Sequence, residues 1–188
     1  MPNTVELPRT AAEAVSLEAA GRSFKYLCFW GHADERGGGV GRGCLSQWWP
    51  GVFTDDGHRF ATAEHYMMAH KAWLFGDAAT AERILASGHP AQAQKLGRQV
   101  RGFDQATWEA ERFGIVVRGN LAKFGQRPEA LAFLLGTRKR VLVEASPRDR
   151  IWGIGLGEDD PKASRASAWR GLNLLGFALM EARTRLAS

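Results

Sequence analysis

Two acidic residues stand beside aromatic ones at the edges of expected elements. Glu64 lies in Thr62-Ala63-Glu64-His65-Tyr66, and Asp149 lies in Ser146-Pro147-Arg148-Asp149-Arg150-Ile151-Trp152-Gly153. Carboxylates next to tryptophan suit chemistry at a sugar carbon bonded to a heterocycle. The rings can stack on the base, while the carboxylates stabilise a positive sugar and activate water. Spacing alone does not bring the two together, and each has a plainer reading. A Glu in the first turn of a helix is favoured by the helix dipole wherever it occurs. An Asp following a strand and a proline is a common turn former. What sets Glu64 apart is its helix, which is apolar nearly all round (Tyr66, Met67, Met68, Ala69, Ala72, Trp73, Leu74), so the carboxylate is expected to be buried.

Other constellations are weaker. Ser46, His65 and Asp149 suggest a triad, but no G-x-S-x-G elbow carries the serine. His65 and His70 are five apart and belong to no His-Glu-x-x-His, so no metal is expected, and His65 reads as a hydrogen-bonded core or pocket-wall residue. Lys71 follows Glu64 by seven residues, two turns along the same face, where it can neutralise a substrate phosphate or pair with an acid. The run Gly37-Gly38-Gly39-Val40-Gly41-Arg42-Gly43 lacks the Gly-Lys-Ser/Thr ending of a phosphate loop and reads better as a mobile turn.

The elements that must position these residues fit one domain. The chain has 188 residues, 45% of them hydrophobic and 24% charged, which is enough for one well-buried core. Seven tryptophans are many for this length and serve core packing as readily as base stacking. A net charge of +5 favours anionic partners, but the basic residues are dispersed, and Arg138-Lys139-Arg140 is only three long. Two isolated cysteines, Cys28 and Cys44, suit a reducing cytoplasm and offer no zinc spacing. No signal peptide and no membrane-spanning run is expected.

Residues 1–22 read as a loosely attached lead-in with a short helix over 11–20, and residues 23–188 as the folded domain. Ser23–Trp30 has strand character, and Asp55-Asp56-Gly57 marks a hairpin between 52–54 and 58–60. Helix signals follow. Thr62 caps a helix ending at Phe75, Asp77 caps a second, Pro90 opens a third, Asp104 caps a longer one carrying Trp108, and Pro128 opens another stopped by Gly136. Val141–Ala145 is the best strand candidate, and Trp169–Leu186 reads as a final helix with Leu172, Leu175, Leu179 and Leu186 inward. The expected fold class is α+β, a helix-rich domain with a small β-sheet.

Several segments together are recognisable. They are Phe29-Trp30-Gly31-His32, Cys44-Leu45-Ser46-Gln47-Trp48, the stretch from Thr62 to Ala72, Leu96-Gly97-Arg98, Trp108, Gly119-Asn120-Leu121-Ala122-Lys123-Phe124, the stretch from Val143 to Gly153, and Trp169–Gly176. In this order and spacing, over residues 24–186, the chain resembles the NADAR (YbiA-like) family. The resemblance implies an α+β fold and cleavage of an N-glycosidic bond. Its substrates would be early phosphoribosylamino-pyrimidine intermediates of riboflavin synthesis, or ADP-ribose on guanine in nucleic acid. Carried over by motif, the catalytic set is Glu64, Trp108 and Asp149. Trp48, Trp108 or Trp152 would stack on the base, and Lys71 and Arg98 would meet the phosphate. Trp30, Gly31, Ser46, His65 and Gly153 complete the expected substrate-binding set. No cofactor and no metal is implied, nucleic acid enters only as a modified substrate, and the expected location is cytoplasmic. One branch of the family has an Asp where Ile154 stands, while another shares the Trp-Gly-Ile-Gly-Leu form seen here, which bears on the substrate more than on the reaction. A non-catalytic reader of NAD or ADP-ribose is the competing class. Two carboxylates argue against it, because extra negative charge does not help bind an anion.

Overall fold

A computed structural model describes residues 7–33 and 39–188; residues 1–6 and 34–38, which include Gly37 and Gly38 of the glycine-rich run, lie outside the described residues. In chain order the elements are α1 (Ala11–Ala19), β1 (Tyr26–Phe29), a 3-10 turn (Arg42–Leu45), β2 (Phe53–Asp55), β3 (His58–Phe60), α2 (Ala63–Leu74), α3 (Ala78–Leu85), α4 (Pro90–Gly97), α5 (Gln105–Gly125), α6 (Pro128–Gly136), β4 (Val141–Glu144) and α7 (Leu174–Leu186), with further 3-10 turns at Pro161–Ser164 and Ala166–Ala168. The fold is α+β and helix-rich. Where the sequence reads as one domain, the contacts fall into two compact units, residues up to Trp30 with Leu135–Ala187, and Gly31–Leu134.

In the first unit β1 and β4 pair in parallel, from Tyr26 opposite Val141 to Phe29 opposite Glu144. Val141, Leu142 and Val143 are fully buried, which explains the continuous apolar run. The lead-in helix is tied down rather than loose. Thr10 caps α1 by accepting from the Glu13 N–H at 3.1 Å, and Glu18 accepts from the Tyr26 hydroxyl and from the Ala166 N–H.

The last helix is shorter than its periodicity suggests, beginning at Leu174 rather than Trp169. Asn173 takes a left-handed conformation (φ 53°). Its side-chain oxygen accepts from the Glu144 N–H at 3.0 Å and its amide donates to the Leu142 carbonyl at 2.9 Å, so it completes the bonding of β4. The N–H groups of Arg170, Leu172 and Asn173 donate to the carbonyls of Ile154, Arg150 and Gly153. A backbone committed to that loop cannot close helical bonds. Leu172 is accordingly 47% exposed instead of inward, while Leu175 and Leu179 are buried as expected.

The second unit is built around α2, which packs against α3, α4 and α5. The Asp-Gly hairpin forms as expected: Asp56 and Gly57 both have positive φ (47° and 78°), and β2 and β3 pair antiparallel, Phe53 opposite Phe60. Caps form at the residues the sequence suggests. Asp77 accepts from the Thr80 N–H at 3.2 Å and Asp104 from the Thr107 N–H at 2.8 Å. Two helix crossings are close because they use glycine. A methyl group on Gly97 of α4 would lie 2.1 Å from the Met68 sulfur, and one on Gly119 of α5 would lie 2.6 Å from the Tyr66 ring. Both neighbours belong to α2, so these glycines set how α2 is seated.

Candidate active site

Glu64 is the second residue of α2. Its own N–H, one of the donors a helix start leaves unsatisfied, is taken by the Gln47 carbonyl at 2.9 Å. Thr62 caps the same turn, its hydroxyl oxygen accepting from the His65 N–H at 3.4 Å. Glu64 is 3% exposed, so the carboxylate is buried at the positive end of the helix.

His65, expected to touch substrate, has both ring nitrogens engaged inside the protein. Nδ1 lies 2.8 Å from the Thr62 hydroxyl and Nε2 lies 3.0 Å from the Ser87 carbonyl. The carbonyl can only accept, so Nε2 carries the proton and Nδ1 accepts from Thr62. Burial pushes its pKa below the ordinary value, against a smaller upward pull from the Ser87 carbonyl, which keeps the ring neutral. His65 therefore braces the start of α2.

Sequence reasoning missed the group beneath this turn. Lys123 of α5 is fully buried, and its ammonium donates to the carbonyls of Cys44 at 2.7 Å and Ser46 at 2.9 Å. Desolvation pushes its pKa down to about 7. One turn earlier, Asn120 donates to the Gln47 side-chain oxygen at 3.3 Å and to the Val116 carbonyl at 2.9 Å. The Gln47 amide nitrogen and the Asn120 side-chain oxygen are buried without a hydrogen bond among the described residues. A signal did exist. Asn120 and Lys123 sit four and seven residues after Val116, polar groups on a stripe whose other members, Val116 and Phe124, are core.

Lys71, Arg98 and Trp108 come together. The Lys71 ammonium lies over the Phe103 ring at 4.4 Å and the Trp108 ring at 5.4 Å. Its pKa is lowered first by burial and then by the charge of Arg98. Among the described residues neither cation has an acidic partner; Arg98 instead bonds the Gln94 side chain at 3.2 Å. Two cations held near each other without an acid form a place where a phosphate relieves repulsion. Trp108 is 8% exposed, so most of its ring is packed rather than presented. Trp48 is half-buried between His32 and His89, each 6.0 Å away between ring centres, and the Ser46 hydroxyl oxygen accepts from the Trp48 N–H at 3.1 Å. Gly31 is exposed with φ at 80°.

The remaining candidates belong to the first unit. Asp149 is half-buried, and its Oδ1 accepts from the N–H groups of Ile151 and Trp152, both at 2.8 Å, and of Gly153 at 3.5 Å. The carboxylate thus holds the turn that carries Trp152, which is the plainer of its two readings. Gly153 is buried, with no room for a methyl group against the Glu144 carbonyl 2.9 Å away. Trp30 is 64% exposed. A groove lined by Ser23, Phe24, Lys25, Thr137 and Arg138–Arg140 holds none of the candidates. Among the described residues no group of three or more His, Cys, Asp or Glu could hold a metal ion, and no helix is long and apolar enough to cross a membrane.

Comparison with known proteins identifies the family to which the chain belongs. The NADAR domain family matches residues 28–187. The N-glycosidase R617 of Acanthamoeba polyphaga mimivirus is 42% identical over 164 residues, covering 85% of this chain and 95% of that protein. The N-glycosidase YbiA of Escherichia coli is 33% identical over 132 residues, 70% of this chain and 74% of its own. Its NMR structure superposes with a TM-score of 0.70 at 29% identity, covering 88% of this chain and 87% of that one. The riboflavin biosynthesis protein PYRR of Zea mays is 33% identical over 133 residues, 66% of this chain but 19% of that protein. By the match over most of its length and by its identity to named N-glycosidases, this chain belongs to the NADAR family and is an N-glycosidase.

Proposed function

We propose that the substrate is a phosphorylated ribosyl-heterocycle of the kind found early in riboflavin synthesis, and that Glu64 is the carboxylate that serves the reacting sugar. The observation that carries this reading is the burial of Glu64 in the first turn of α2. A carboxylate costs stability when removed from water, so one buried in the first turn of a helix whose neighbouring side chains, Tyr66, Met67, Met68 and Ala69, are apolar core is matched to a chemical role. In the reaction the bond between the sugar C1 and the heterocycle nitrogen breaks, the electron pair leaves with the base, and positive charge spreads over C1 and the ring oxygen. An ionised Glu64 stabilises that charge and takes a proton from the water whose oxygen adds to C1; that proton is then passed on to the departing heterocycle nitrogen, directly or through solvent, so that Glu64 ends ionised again. No cofactor is needed for this balance.

Lys71 and Arg98, two turns further along or beside the same helix, are assigned to the phosphate because they lack acidic partners. Trp108 backs Lys71 and orients it, and Trp48 is the ring assigned to the base. Asp149 is assigned to holding the Trp152 turn. The naming of a relative for riboflavin biosynthesis supports the choice of substrate class.

The test is incubation of the purified protein with a phosphoribosylamino-pyrimidine, with an ADP-ribosylated guanine oligonucleotide and with NAD, following released base by chromatography. Release from the first is expected. Release from the guanine substrate alone would reassign the substrate, and binding without release would make the chain a reader.

A further inference from the structure

We propose that Lys123 is a positioning residue for Glu64, acting through the Cys44–Gln47 segment; this rests on the role given to Glu64 above. The connection is a short series of bonds. The Lys123 ammonium holds the carbonyls of Cys44 and Ser46 at 2.7 and 2.9 Å. The next residue, Gln47, accepts the Glu64 N–H through its carbonyl at 2.9 Å. Asn120 grips the Gln47 side chain from the same face of α5, one turn before Lys123. The long helix α5 thereby fixes the height at which α2 starts, and with it the backbone that carries the carboxylate.

The alternative is a lysine that only satisfies two carbonyls. Its position argues against that. Lys123 is fully buried, among the rings of Trp49 and Phe124 at 5.5 and 5.0 Å. A buried amine loses hydration that two carbonyl bonds and ring contacts only partly replace, and this desolvation pushes its pKa down to about 7. An apolar side chain of similar volume would spare that desolvation, at the cost of leaving the Cys44 and Ser46 carbonyls without their donor. Retaining one here is consistent with specification of geometry at a reacting group, where an error on the order of 1 Å costs about 10²-fold in rate.

Single-turnover rates and KM for a phosphoribosylamino-pyrimidine should be measured for the parent, Lys123→Met, Lys123→Gln, Glu64→Gln and the double variant Lys123→Met/Glu64→Gln, with circular dichroism on each. Lys123→Met should lower the catalytic rate on the order of 10²-fold with KM little changed. Lys123→Gln, which keeps an amide donor, should recover part of the loss. In the Glu64→Gln background Lys123→Met should cost little more, because both changes remove the same contribution. A parental rate in folded Lys123→Met, or an equal loss in both backgrounds, overturns the proposal. So does unfolding of both Lys123 variants, which would make the lysine a structural post. If Lys123→Met does not fold, Lys123→Gln carries the same cycle. A parental rate in Glu64→Gln would instead refute the reading of Glu64. An inactive Glu64→Gln beside a fully active Lys123→Met would refute this inference alone.

Discussion

Gly119→Ala tests whether the seating of α2 is as tight as the structure shows. The added methyl carbon would lie 2.6 Å from Cδ1, 3.0 Å from Cε1 and 3.2 Å from Cγ of Tyr66, where ordinary contact begins at 3.4 Å. The ring must retreat by roughly 0.8 Å, the difference between 3.4 and 2.6 Å. It has little room. Phe60, Phe53 and His70 stand 4.9, 5.8 and 4.1 Å from it between ring centres, and the Tyr66 hydroxyl donates to Asp55 at 3.0 Å. Overpacking of this kind costs about 1–3 kcal/mol, and Ala in place of Gly within a helix returns about 1 kcal/mol. With a contact this short the upper part of the range applies, leaving a net loss of about 1–2 kcal/mol. For a chain of this size that lowers Tm by roughly 2–8 °C. Gly125→Ala, on the same helix with nothing within 4 Å, is the control and should not lower Tm. Thermal melts of both variants decide the matter. A Gly119→Ala protein as stable as Gly125→Ala would refute the close α2–α5 contact, and with it the account of how Glu64 is held.

Other perturbations follow from the same geometry. His65 and His70 both have pKa values lowered by burial from the usual 6.5, so the unfolded chain takes up protons first; stability is complete above about pH 6.5 and is lost as pH falls through the lowered values, which Tm measured from pH 7.5 down to 5 will show unless the curve is flat. Lys71→Met should raise KM for a phosphorylated substrate about tenfold with little change in the catalytic rate, the effect of losing one half-exposed charge-assisted bond. In the parent, KM should climb with pH earlier than an ordinary lysine would allow, since the protonated amine binds and its pKa is lowered; the climb should vanish in the variant. Asp149→Ala should cost about 1–2 kcal/mol in a denaturant melt through loss of its backbone acceptor, while Asp149→Asn, which keeps that oxygen, should stay near the parent.

Local chemistry was legible. Thr62, Asp77 and Asp104 cap the helices the sequence assigns to them, and Asp56-Gly57 turns the hairpin, because each signal acts within four residues of itself. The burial of Glu64 followed from the apolar surround of its own helix. What periodicity could not give was set by distant partners. The start of α7 is decided by Asn173 bonding to β4, about thirty residues back. The attachment of α1 depends on Glu18 meeting Ala166, 148 residues away. Gln47, Asn120 and Lys123 sit inside the family motif, yet their roles arise from contacts between segments over 70 residues apart. Asp149 carried two readings in the sequence, and only the three N–H groups on its Oδ1 reveal the turn it holds.

The central claim is that the buried carboxylate of Glu64 performs the chemistry. Single-turnover cleavage of a phosphoribosylamino-pyrimidine by folded Glu64→Gln, compared with the parent at neutral pH, tests it most directly. The amide has nearly the same shape but neither stabilises a positive sugar nor accepts a proton from water. The account predicts a fall on the order of 10²–10⁴-fold in the rate of base release with the fold and Tm preserved. A folded Glu64→Gln protein that cleaves within a few-fold of the parent rate would contradict it.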